Sequence, residues 1–117
     1  MKLPRFSGKP RKPKHARGPR RRLVILRQVT GQSMLPALRP GAIVLAHGLW
    51  RQLKPGDVVV LRHDGIDKIK RIQAIQNAQV YLVGDNAAHS TDSRTLGWLD
   101  VRLIIGKVAW PWCRANK

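Results

Sequence analysis

"DVVVLRHDGIDKIKRIQAIQNAQVYLV", residues 57–83, decides the fold, because its middle can be read in two ways. Within "IDKIKRIQAI" (66–75) the apolar residues fall at 66, 69, 72 and 75, a spacing that a helix would also accept. The flanks favour a strand. Val58-Val59-Val60-Leu61 is a β-branched run, and Asp64-Gly65 suits the centre of a tight hairpin turn. Asn77-Ala78 then marks a second turn before the strand expected at "QVYLVGD" (79–85).

Working outward, "LRPGAIVLA" (38–46) and "LKPGDVVVL" (53–61) echo one another at an offset of 15 residues. Each carries a Pro-Gly pair suited to a type II turn, followed by a β-branched run. Two such units are too few for a repeat protein, and turn chemistry used twice explains them. "VRLIIGKVAW" (101–110) is expected to be the last strand. Helix is scarce: a single turn is expected after Ser33, stopped near Pro40. The pattern predicts an all-β, compact, barrel-like domain over residues 23–117.

A chain of 117 residues makes one domain with a modest core. Its charge is unevenly spread. Residues 1–22 hold 10 of the 23 Lys and Arg, four prolines and none of the six acids. The remainder carries a formal +7 of the total +17. Such a segment cannot bury enough apolar surface to offset its ordering entropy, so a disordered basic arm is expected there. The arm suits polyanions, either nucleic acid or the anionic headgroups of a membrane; the alternative is a solvated tail that aids solubility. Leu23-Val24-Ile25-Leu26 is too short for the apolar core of a secretory signal, and the prolines oppose an amphipathic transit helix. No stretch approaches the ~20 apolar residues of a membrane span. The expectation is a protein that is soluble or peripheral at a membrane surface, in the cytoplasm rather than secreted. Cys113 is the only cysteine, and the histidines at 15, 47, 63 and 89 lack metal-ligand spacing, so no metal or other cofactor is expected.

Ser33 sits in "GQSMLP" (31–36), between a flexible glycine and a stiff proline. A serine hydroxyl is a poor nucleophile until a base removes its proton. The candidate bases are a histidine (His63 beside Asp64, or His89 near Asp85 and Asp92), a lone carboxylate, or a lysine kept neutral by desolvation. Lys70 is such a lysine. In a strand it shares a face with Ile66, Lys68 and Ile72, while Asp67, Ile69 and Arg71 share the other. The alternative is an ordinary solvated lysine in a basic protein. "GDNAAHSTDSR" (84–94) reads either as a run of side-chain-to-backbone turns or as a structured loop in which a serine holds the lysine and Asp92 pairs with Arg94.

Taken together and in order, Thr30-Gly31-Gln32-Ser33-Met34-Leu35-Pro36, Lys70-Arg71, Gly84-Asp85-Asn86 and Ser90-Thr91-Asp92-Ser93-Arg94 with Gly97 resemble the type I signal peptidase family. The likeness spans about residues 29–108 and looks closest to the small anchorless proteases that mature nickel superoxide dismutase. It implies a signal-peptidase/LexA-type catalytic domain and a Ser/Lys endopeptidase that removes a leader or signal segment from a precursor after small residues. In that pattern Ser33 is the nucleophile, Lys70 the general base and Ser90 the residue that orients the amine. Asp92 and Arg94 brace the loop, and Gly31, Gln32, Met34 and Pro36 shape the nucleophile turn. Gly31 stands where some members carry a second oxyanion donor, which leaves the backbone N–H of Ser33, with Thr30 as a further candidate. The base must titrate far below the ordinary lysine value of about 10.4, through burial and the positive neighbours Lys68 and Arg71. The implied substrate is a precursor bound as an extended segment.

A rival reading is a non-catalytic nucleic-acid-binding β-barrel with a basic arm. The net charge of +17 supports it, but one tyrosine and one phenylalanine make a thin stacking platform. Self-cleaving repressors share the peptidase chemistry, but 22 proline-punctuated residues cannot form the helical DNA-binding domain that precedes it in them.

Overall fold

The computed structural model describes residues 23–111. The arm over residues 1–22, His15, Trp112 and Cys113 lie outside the described residues. The ambiguous stretch is a hairpin. β3 (Val58–His63) pairs antiparallel with β4 (Ile66–Gln76) in an unbroken register from Val58↔Arg71 to His63↔Ile66. Asp64 and Gly65 join them with φ of +55° and +77°, the positive pair that a type I′ turn requires. β4 continues through Asn77-Ala78 into β5 (Gln79–Val83), so local turn chemistry overrides the three-residue spacing.

The other strands follow the Pro-Gly turns. Gly41 and Gly56 hold φ of +90° and +98°, which suits the third position of a type II turn. The turns deliver the chain into β2 (Ile43–His47) and β3. β1 (Ile25–Gln28) pairs with β2, and β6 (Leu99–Asp100) with β5. β7 (Ile104–Trp110) runs between β2 and β3. The seven-stranded sheet has the order β1-β2-β7-β3-β4-β5-β6.

Two details differ from the sequence reading. The last strand begins at Ile104, not at 101, because Asp100 accepts the Arg102 N–H and winds residues 101–103 into a 3-10 turn. A single α-helical turn, α1 (Ser93–Leu96), forms where only a loop was expected, started by Asp92 accepting the Arg94 N–H. The single turn expected after Ser33 is present, closed by Leu38 N–H donating to Met34 C=O at 2.9 Å.

The sheet is strongly curled. β1 and β4 are four strand steps apart, on the order of 19 Å in a flat sheet. Yet Arg27 Nε on β1 meets Asp67 Oδ2 on β4 at 2.7 Å. Register shifts at Leu45/Ala46, Val60/Leu61 and Ile72/Ala74 bend the strands as bulges do. Inside the curl pack Ile25, Val29, Met34, Leu38, Val44, Ala46, Val58 and Val60. On the opposite face Val59, Leu61, Ile72, Val80, Leu82 and Ile104 form a second core, covered by Trp50, Leu53, Leu99, Val101 and Leu103. β3 is therefore buried on both faces, which explains its continuous apolar run. Among the described residues no helix is long and apolar enough to cross a membrane.

Candidate functional site

Ser33 is partly exposed on a turn whose neighbours are pinned. Met34 and Leu38 are buried in the inner core. Gln32 C=O accepts the Leu35 N–H at 3.2 Å, and Gly31 at the start of the turn holds φ +73°. Asn86 clasps the same segment from the loop after β5. Its backbone N–H donates to Ser33 C=O at 2.7 Å and its Nδ2 to Gln32 C=O at 3.1 Å. In a trans peptide the N–H points opposite to the C=O. With the Gln32 carbonyl turned to Asn86, the Ser33 N–H is directed away from that loop.

Lys70, near the middle of β4, is only 6% exposed. Its Nζ donates to Ser90 Oγ at 2.8 Å, and Ser90 Oγ donates to Asp92 Oδ2 at 2.5 Å. Asp92 also accepts from the Gly84 N–H at 2.7 Å and from the Arg94 guanidinium at 2.6 Å. Arg94 reaches on to Gly84 C=O at 2.9 Å. Burial disfavours charge on Asp92, yet the hydrogen bonds from Arg94, Ser90 and the Gly84 N–H hold its carboxyl well below the usual carboxylate range. Burial also lowers the Lys70 amine; the Asp92 carboxylate opposes that, while the positive charges of Lys68 and Arg94 add to it. An amine of this kind can be present neutral and can accept a proton.

Ser33 and Lys70 line one cleft of about 280 Å³. Thr30 and Gly31 lie on the Ser33 side, Ile66 and Lys68 on the Lys70 side, and His89 and Thr91 complete the lining. Both long walls are strand edges: among the described residues β1 pairs with β2 alone, and β4 pairs with β5 only from Arg71 onward, which leaves residues 66–70 open on that side. Arg27 spans the two walls to Asp67, which Arg62 also binds at 2.7 Å.

The residues expected together are brought near one another: Ser33 and Lys70 line one cleft, Ser90, Asp92 and Arg94 follow from Lys70 in a hydrogen-bonded chain, and Gly31, Gln32 and Met34 flank Ser33 on its turn. Pro36 follows a cis peptide and is exposed. Among the described residues neither His63 nor His89 is hydrogen-bonded to a carboxylate. His89 lines the cleft, but Asp85 is bound to Arg71 and Asp92 to Ser90 and Arg94. His63 Nδ1 is buried without a hydrogen-bond partner, 3.8 Å from Asp64.

One expected influence on Lys70 is corrected. Arg71 does not act as a positive neighbour, because it points to the other face, where two 2.8 Å bonds join it to Asp85. Lys68 and Arg94 lower the amine instead. Sequence reasoning also missed the Asn86 clasp and this Arg71–Asp85 pair. Both lie inside quoted motifs, "KR" and "GDN", but their partners are distant in sequence. Gly84 is a third omission. A Cβ there would collide with Ser90 Oγ and lie 2.6 Å from Ser90 Cβ and 2.7 Å from Ser33 O. Only glycine lets the two serine segments approach so closely.

The family profile described as Peptidase S24-like matches residues 13–109 of the chain. No curated protein sequence matches it.

Proposed function

Because the chain belongs to the Peptidase S24-like family, we propose that it is a Ser/Lys endopeptidase that removes an N-terminal leader from a precursor protein. The reading rests on one observation: the buried Lys70 amine, held by Ser90 and Asp92, lines the same cleft as Ser33. In this reading neutral Lys70 accepts the Ser33 proton as Oγ attacks the scissile carbonyl. The tetrahedral oxyanion takes the Ser33 N–H as a donor. As the C–N bond breaks, Lys70 returns the proton to the leaving amine and an acyl-Ser33 ester remains. Water, deprotonated by Lys70, then attacks the ester; the acid product leaves and the Lys70 ammonium returns the proton to Ser33 Oγ.

The substrate lies extended in the cleft, where the open edges of β1 and of β4 residues 66–70 offer backbone pairing. A small residue at the cleavage point, as in Ala-x-Ala, and a precursor of the kind processed by nickel superoxide dismutase maturation proteases follow from the motif resemblance. Mass spectrometry of a leader peptide incubated with the protein tests the reading. Ser33→Ala is expected to lower cleavage by at least about 10³-fold and Lys70→Met by about 10²–10⁴-fold, with the circular dichroism of each unchanged. Full cleavage by Lys70→Met together with loss in His89→Ala would replace the dyad by a histidine base.

A further inference from the structure

The cleft shared by Ser33 and Lys70 has two sides of different chemistry. Val29, Met34, Val60 and Ile69 line it from the inner core and give it an apolar floor. Strand alternation puts Ile69 on the inner face of β4, and Lys68 and Lys70 on the other. The register agrees: Ile69 stands opposite Val60 of the inner core, and Lys68 opposite Leu61 of the second core. A segment laid along the open edge of β4, residues 66–70, alternates in the same way. In a stretch such as Ala-x-Ala the two small side chains meet the apolar floor. The side chain x between them then turns to the face that carries Lys68.

Lys68 is half-buried, and no carboxylate among the described residues pairs with it. The six acids of the chain are all aspartates, and each stands beside a different basic residue. Of those six, Asp67 lines the cleft, and Arg27 and Arg62 each hold it at 2.7 Å. The group of three therefore keeps a net positive charge, and Lys68 adds another. The charge of Lys68 is also felt at the Lys70 amine, so it stands close to the reacting centre. A half-buried ammonium with no protein anion against it gains from an anion that a ligand brings.

We propose that Lys68 is a specificity-determining residue, which selects substrates carrying Asp or Glu between the two small residues of the cleavage sequence. The inference rests on the peptidase reading and narrows its substrate class. The test is cleavage by the full chain of three peptides that differ only at x, with Glu, Gln or Lys between the flanking alanines. The Glu peptide is expected to exceed the Gln peptide about 5- to 10-fold in kcat/KM, between the worth of a surface ion pair and that of a hydrogen bond to a charged group. The Lys peptide should fall below both. The gain should lie in KM, because the ion pair forms with substrate and transition state alike. It should shrink in about 1 M salt. In Lys68→Gln the Glu-to-Gln ratio should drop to about one, and in Lys68→Glu the Lys peptide should become the best of the three. Ratios are taken within one variant, so a change in Lys70 basicity, common to all three peptides, cancels. Equal cleavage of the Glu and Gln peptides by the unmodified chain would overturn the proposal, and needs no variant to fold. So would a preference for Glu that persists in both Lys68 variants. Cleavage without that preference removes this inference alone, whereas cleavage of none of the peptides removes the peptidase reading with it.

Discussion

Lys70 Nζ donates to Ser90 Oγ at 2.8 Å, and Ser90 has no proton to return, because its own goes to Asp92 at 2.5 Å. The direction of that bond has a chemical consequence. A neutral amine that donates one N–H to Ser90 keeps its lone pair unspent, free to face the Ser33 side of the cleft. Ser90 therefore aims the amine, while burial lowers its basicity.

Ser90→Ala is expected to reduce kcat about 10- to 100-fold, the cost of leaving one buried donor without its acceptor. The acid limb of the pH–rate profile should stay where it is, since the bond orients the amine. A limb displaced by more than the change seen with Ser90→Thr would show that Ser90 tunes the amine instead.

In the proposed mechanism the pH dependence of kcat/KM reports the Lys70 amine. Burial lowers the Lys70 amine from its ordinary value, so the reactive neutral form appears as pH rises through the lowered value. Activity should rise over that range. Lys68→Gln removes a positive charge that favours the neutral amine, so the limb should move to higher pH. Movement to lower pH, or none at all, would contradict the electrostatic assignment.

Gly84→Ala is expected to cost about 1–3 kcal/mol, the usual range for overpacking. Its Cβ must displace Ser90, which carries Lys70, or the Ser33 carbonyl. Thermal melting measures the first effect, and kcat should fall with it. Gly65→Ala, at a positive φ in the hairpin turn but with no atom near its Cβ, serves as the control that loses stability without a direct effect on the site.

Asp85→Asn should destabilise by roughly 3–5 kcal/mol, because it removes the carboxylate charge that the buried Arg71 guanidinium meets through two bonds. Arg71 and Asp85 are both buried, and the pair ties β4 to the loop that carries Asn86. Denaturant unfolding would read the loss. A change below about 1 kcal/mol would mean that water compensates the arginine.

Like Asp67 and Asp100, whose carboxyls are also lowered by their arginine partners, Asp92 contributes to the pH dependence of stability at low pH. Its folded-state carboxyl titrates well below the ordinary value, so the unfolded chain binds the proton first and ionised Asp92 stabilises the fold above roughly pH 4. That contribution is lost progressively as pH falls below this value. Asp92→Asn should be less stable at neutral pH and should show a flatter dependence of unfolding free energy on pH between about 4 and 2.

Local chemistry determined the elements of this protein. Asp64-Gly65 can close a two-residue turn, Pro40-Gly41 and Pro55-Gly56 preset their own φ values, and β-branched runs follow; these depend on residues adjacent in sequence. The same holds for the identities of Ser33, Lys70, Ser90, Asp92 and Arg94, which stand in motifs with fixed spacing. The curl of the sheet was decided by tertiary structure. It brings β1 against β4, sets Ser33 and Lys70 in one cleft, sends Arg71 to Asp85 rather than toward Lys70, and places Asn86 against the Ser33 turn. Strand alternation fixes which face a side chain takes, but what waits on that face depends on strands far away in the chain. The basicity of Lys70 was decided in the same way, because desolvation arises from everything packed around the amine and not from its neighbours in sequence.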